Sequence, residues 1–339
     1  MAVITYLEAS RQALIEEMRR DERVWAVGED LGRGGVFGQY RGLSEEFGTE
    51  RIADAPISEA CIMGAATGAA MMGSRPVVEM RFSDFALCAT DELVNQAAKA
   101  RYMFGGQTRV PLVVRQPIGM WRSSAAQHSQ SLEAWYAHIP GLVVICPSTP
   151  ADNKGLLKSA IRCDDPVVYM EHKLLWPLQG EVPDGEDVLV PIGEAKLVRR
   201  GEDLTLVTWS ATVHVAVEAA ATLAESGMDV EIIDLRTLWP WDKRAVMDSV
   251  RRTGRLLVAH EAVSVAGFGA EIVATVCETA YDRLLAPPVR VAAPRVHIGY
   301  APTLENEVRV TPQRLIDAVT RLLQKNPPAR TREKTGEVK

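Results

Sequence analysis

The sequence predicts an α/β protein of two domains, each a mainly parallel sheet flanked by helices. Three observations lead there. Apolar, β-branched runs of strand length alternate with segments of helical period. Several runs are apolar throughout, as parallel strands covered on both faces are. And 339 residues is more chain than one hydrophobic core ordinarily organises.

The elements follow in order. Thr5-Tyr6-Leu7-Glu8 is a capping box, and it starts a helix over Tyr6–Arg20 with Leu7, Leu14 and Met18 inward. A strand is expected at Val24–Gly28, a helix at Glu59–Met72, a strand at Val77–Met80 and a helix at Asp91–Phe104. Strands at Leu112–Arg115 and Leu142–Cys146, a helix at Ala151–Ile161 and a strand at Val167–Met170 complete the first set. Pro177, Gly180, Pro183, Asp184 and Gly185 then give residues 176–189 the composition of a linker. The second set holds strands at Leu204–Trp209, Val230–Asp234, Leu256–Ala259 and Val289–Val291. Its helices are expected at Val213–Ser226, Asp242–Arg252, Ala270–Leu284 and Pro312–Leu323. The first domain therefore spans residues 1–175 and the second 190–325. The tail, 326–339, is Pro-, Lys- and Glu-rich and is expected to be disordered.

Composition narrows the function. Hydrophobic residues make up 47% and charged residues 24%, which suits two ordinary soluble cores. The net charge is −6 and the basic residues are scattered, so no nucleic-acid partner is expected. Five cysteines without a C-x-x-C pair point away from zinc and toward reduced thiols. Glu8, Glu16 and Glu17 argue against a transit peptide, and no apolar run approaches the ~20 residues that cross a bilayer. The expectation is a cytosolic protein with no membrane partner.

Chemistry concentrates first at Ala55-Pro56-Ile57-Ser58-Glu59-Ala60. A carboxylate there heads a helix that continues with Gly64, Ala65, Ala66, Gly68, Ala69 and Ala70. Small residues let another backbone approach closely, so a glutamate in this place is readily cut off from water. Burial raises a carboxyl pKa and a helix N-terminus lowers it, a combination suited to proton transfer. The plainer alternative is a glutamate that only complements the helix dipole.

Further blocks join it in order: Gly28-Glu29-Asp30, Arg75-Pro76-Val77-Val78-Glu79, Ala125-Ala126-Gln127-His128-Ser129-Gln130-Ser131, Gly155 to Arg162, Asp234-Leu235-Arg236-Thr237, and Ala266-Gly267-Phe268-Gly269-Ala270-Glu271-Ile272. Taken together, from about residue 4 to 325, the chain resembles the beta subunit of the thiamine-diphosphate-dependent first component of 2-oxo acid dehydrogenase complexes. That family includes the pyruvate, acetoin and branched-chain enzymes. The resemblance implies transketolase-like domains: a pyrimidine-binding domain first, a transketolase C-terminal domain second.

It also implies roles. Glu59 would share a proton with the aminopyrimidine ring of thiamine diphosphate, with Ile57 and Phe85 against that ring and Glu29 near the cofactor. His128 would stand at the mouth of the site and serve proton transfer or acyl transfer to a lipoyl arm. Read without the family, Phe85 is ordinarily a core residue; His128, in a polar flexible loop, reads as exposed and reactive, with a surface histidine lacking a partner as the plainer alternative; and Gly28-Glu29-Asp30 is equally a polar turn after a strand. His138, His214, His260 and His297 read as structural. A potassium ion is implied near Leu112 and the loop carrying Ala160, Cys163 and Asp165, held largely by carbonyl oxygens.

One absence shapes the partner expectation. The chain lacks the Gly-Asp-Gly and downstream Asn by which such enzymes hold the diphosphate through magnesium. That half of the site, magnesium included, would belong to an alpha subunit in an alpha2beta2 assembly. The second domain would serve assembly and dock a lipoyl acyltransferase core. Two departures bear on substrate or on packing alone: Pro117–Arg122, with Met120 and Trp121, is bulkier than the Gly-rich loop of relatives, and Trp176 stands where tyrosine is frequent. Two rival readings remain, a split transketolase acting on sugar phosphates and a non-catalytic stabilising subunit. The first wants clustered basic residues near the site; the second could lose Glu59 without losing activity.

Overall fold

The computed structural model describes residues 1–185 and 188–325, so the tail 326–339 lies outside the described residues. The strands, in chain order, are β1 (Ala2–Thr5), β2 (Val24–Gly28), β3 (Ile52–Asp54), β4 (Arg75–Glu79), β5 (Val113–Arg115), β6 (Val143–Ile145), β7 (Val167–Tyr169), β8 (Gln179–Val182), β9 (Lys196–Arg199), β10 (Leu204–Thr208), β11 (Val230–Asp234), β12 (Thr237–Trp239), β13 (Leu256–Val263) and β14 (Val289–Ala293). They form two compact units. The first is Met1–Glu194 with Arg236–Pro240 and Ile298–Glu305; the second is Ala195–Leu235, Trp241–His297 and the residues from Asn306.

The first unit is built on a seven-stranded sheet, order β12-β6-β7-β5-β4-β2-β3. All of its strands are parallel except β12, which runs antiparallel to β6 with Thr237 opposite Ile145. Both faces are buried, as the unbroken apolar runs require. Ala26, Val77, Val113 and Val167 lie in the core under helices Tyr6–Arg20 and Pro150–Arg162, while Val78, Val114 and Val168 on the other face are also fully buried. Capping fixes both helix starts: Thr5 Oγ1 accepts from Glu8 N at 3.1 Å and Thr149 Oγ1 from Asp152 N at 3.2 Å.

Three differences from the sequence expectation have physical causes. The segment expected as a linker contains β8, which pairs with β1 so that Thr5 faces Gln179; neither short strand shows its pairing in local pattern. The single helix expected at 91–104 is a π-helix over Asp91–Ala97 followed by an α-helix over Ala98–Met103. It packs against helix Glu59–Met71, and a change of helical pitch leaves no mark in apolar spacing. Finally, the first unit takes back Arg236–Pro240 through β12, a return no contiguous boundary at 175 or 190 describes.

The second unit holds a five-stranded sheet, order β14-β13-β10-β11-β9, parallel except for β9. Its core gathers Leu206, Ile232, Leu257, Leu223, Leu315 and Val319. Among the described residues no helix is long and apolar enough to cross a membrane.

Candidate functional site

Five neighbouring parallel strands deliver the candidate residues to one end of the first unit's sheet. Gly28, Asp54 and Glu79 sit side by side at the carboxyl ends of β2, β3 and β4, continued by Arg115 on β5 and Tyr169 on β7. The next residues along each chain segment are Glu29, Ala55 to Glu59, Arg81 to Phe85, the loop to His128, and Glu171 to Lys173. The carboxyl end of an open parallel sheet is where ligands bind.

Glu59 is the first residue of helix Glu59–Met71 and is half-buried. No other described residue gives its carboxylate a hydrogen bond or ion pair, so the helix N-terminus is its only built-in stabiliser. The approach to it is pinned by Ala55 N donating to Gly28 O at 2.9 Å. Ile57 just before it is 77% exposed, a large apolar side chain left for something outside the chain to cover. Glu29 differs: it is paired with Arg81 Nε at 2.8 Å, and Arg81 also holds Asp30. A free proton-carrying role for Glu29 would require that pair to open.

Phe85 and His128 meet. Their ring centroids lie 5.2 Å apart, edge to face, and Phe82 closes the triangle at 5.0 Å from His128 and 5.6 Å from Phe85. Phe37 extends this wall, 6.0 Å from Phe82 and 4.3 Å from Trp176, with Trp121 at 5.8 Å. Trp121 of the loop is thus packed into an aromatic surface that runs through Phe37 and Phe82 to His128.

Beneath lies a charge network that sequence reasoning missed. Arg115 is buried between Glu79, at 2.9 Å, and Glu171. Tyr40 Oη donates to Glu79 at 2.9 Å, Gln39 donates to the same carboxylate at 3.2 Å, and Asn153 donates to Glu171 at 2.7 Å. Burial pushes the Glu79 carboxyl up, and Arg115 opposes it. Burial alone would pull Arg115 down, but Glu171 and Glu79 hold it well above its ordinary value. The missed signal was charge at the ends of apolar strands, where a buried residue needs a partner.

The residues present fit an aminopyrimidine: an unpartnered carboxylate at a helix head, an uncovered aliphatic chain and an aromatic wall. The carbonyls and the carboxylate expected to hold potassium already have partners within the chain. Leu112 O accepts from Val167 N at 2.8 Å and Ala160 O from Cys163 N at 3.1 Å. Arg75 donates to Cys163 O at 3.0 Å and to Ile161 O at 2.9 Å, and Asp165 pairs with Arg101 at 2.5 Å. A cation there would be a third positive charge, beside the guanidinium groups of Arg75 and Arg101. Among the described residues no three His, Cys, Asp or Glu side chains gather as a metal site.

Comparison with known proteins agrees in outline. The transketolase pyrimidine-binding domain matches residues 2–179 and the transketolase C-terminal domain residues 193–315. The 2-oxoisovalerate dehydrogenase subunit beta of Bacillus subtilis is 42% identical over 327 residues, covering 96% of this chain and all of that protein (100%). The acetoin:2,6-dichlorophenolindophenol oxidoreductase subunit beta of Cupriavidus necator is 46% identical, with coverage of 88% and 91%. The pyruvate dehydrogenase E1 component subunit beta of Rhizobium meliloti is 44% identical, with coverage of 94% and 70%. A split-gene transketolase solved as an inactive beta4 tetramer shares the fold at TM-score 0.77 and 22% identity, covering 95% of this chain and 99% of that one.

Proposed function

Because the chain belongs to the transketolase-like family of 2-oxo acid dehydrogenase E1 beta subunits, we propose that it supplies the aminopyrimidine half of a thiamine diphosphate site whose magnesium and diphosphate half lies on an alpha subunit. When bound, thiamine diphosphate supplies the electron sink for decarboxylation. This chain's residues do the rest of its share. Glu59 holds a proton at its carboxylate for exchange with the coenzyme ring, and Ile57 and Phe85 cover that ring and exclude water. His128, against Phe85, moves a proton during acyl transfer to a lipoyl domain. The substrate is a small 2-oxo acid or acetoin, the classes named for the relatives above.

The observation that carries this reading is that Phe85 and His128 meet beyond the carboxyl ends of β4 and β5, while Glu59, its carboxylate unengaged, follows the carboxyl end of β3 in the same sheet. The test is co-expression with a candidate alpha subunit, followed by thiamine-dependent turnover of pyruvate, 2-oxoisovalerate and acetoin. Glu59→Gln should abolish turnover and leave assembly intact; near-normal turnover removes Glu59 from the mechanism. Tight binding of thiamine diphosphate and magnesium by this chain alone would refute the divided site.

A further inference from the structure

We propose that Lys173 is the positioning residue for His128, closing both ends of the loop that carries it; this rests on the reading of His128 as a site residue. Lys173 follows β7, and its side chain is completely buried. A buried ammonium must have its charge and donors met. Here Nζ donates to the main-chain oxygen of His128 and lies 4.7 Å from the centroid of the Phe82 ring, on its face. The main-chain N of the same residue donates to Ile118 O at 3.2 Å. Ile118 opens the loop and His128 closes it, so one residue fastens both.

The segment so fastened is strained. Arg122, Ser123 and Ala125 all have positive φ, at 47°, 59° and 59°, which side chains other than glycine seldom adopt. Such backbone persists only where its surroundings dictate it. Two further ties act with the lysine: Gln130 donates to Asp84 at 2.8 Å, and Ser123 N to Glu305 at 2.8 Å. Of these contacts, only the lysine grips residue 128 itself. Fixing that carbonyl fixes the backbone from which the imidazole enters the space between Phe82 and Phe85.

The test is chemical reactivity of His128 in the full-length chain. Diethyl pyrocarbonate modification at neutral pH is followed by mass spectrometry, with exposed His138 as internal reference. Lys173→Met should raise the His128-to-His138 rate ratio about tenfold, the weight of one charge-assisted hydrogen bond, and Lys173→Arg should restore it to within about twofold. In the enzyme assembled with its alpha subunit, Lys173→Met should lower kcat for lipoyl transfer and leave KM for the 2-oxo acid unchanged. An unchanged ratio in a cooperatively melting Lys173→Met chain overturns the proposal. If that variant does not fold, Lys173→Gln takes its place. If neither folds, the lysine is a core residue and the positioning role falls. Full lipoyl transfer by His128→Gln would remove the role of His128 and leave the clasp standing, so the two failures are distinguishable.

Discussion

The imidazole of His128 meets the ring of Phe85 edge-on at 5.2 Å, although one residue follows β5 and the other β4. Two segments that leave neighbouring parallel strands are brought by the sheet to a single aromatic contact. An edge-to-face contact orients the imidazole without taking its nitrogens, which stay available for proton transfer.

His128→Ala should therefore depress acyl transfer to a lipoyl domain by about 10²–10⁴-fold, the usual worth of a positioned acid or base. Decarboxylation followed with an artificial electron acceptor should fall much less. Equal losses in both assays would count against a transfer-specific role.

Arg115→Met should cost about 3–5 kcal/mol, because it leaves Glu79 and Glu171 buried without their cation. The sign of the pH effect follows. A buried, unpaired carboxyl has a folded pKa above its unfolded one, so stability is present below the ordinary carboxyl range and is lost as pH rises through the folded value. The variant should be least stable relative to wild type at neutral pH and recover as pH falls toward 4.5, the ordinary glutamate value. Denaturant titrations at several pH values measure this; a pH-independent deficit would show that the carboxylates find other partners.

Gly119→Ala should disturb the same loop from its other side. Gly119 has φ +92°, and an added Cβ would stand 2.0 Å from His172 Nε2. The conformational strain alone is worth about 1–3 kcal/mol. The neighbouring bridge between Ile118 and His172 should open, lowering the thermal midpoint. An unchanged midpoint would mean the loop moves freely away from His172.

Most of the architecture was legible because it is local. Tyr6–Arg20 announces itself by its capping box, and Val24–Gly28 by its apolar run. What stayed hidden was pairing at a distance: β1 with β8, and β12 returning to β6. At the site, Glu59, Phe85 and His128 came from motif and resemblance, which carry residue identities but no contacts. Lys173 and the Glu79–Arg115–Glu171 network were missed for a related reason. A lone charge after an apolar strand does not say what it faces once buried. The glycines of Ala266–Ile272 were visible as a motif, but their cause is spatial: a Cβ at Gly267 or Gly269 would come within 2.7 or 2.9 Å of the His260 ring.

That histidine supplies the last prediction. His260 is fully buried in the second unit, stacked on Trp209 with centroids 5.1 Å apart and 13° between planes. Burial, with Arg290 adding to it, pushes its imidazole down to about 4 from an ordinary 6.5. The folded state therefore refuses a proton that the unfolded chain accepts. Stability is complete above pH 6.5 and is lost as pH falls from there toward 4, since the unfolded state binds more protons throughout that window. The full loss approaches about 3 kcal/mol. His260→Phe keeps an aromatic ring on Trp209 and removes the titration. Its thermal midpoint should fall less steeply than wild type between pH 6.5 and 4. Parallel midpoint curves for the two proteins would show that His260 gains its proton as readily inside the fold as outside it.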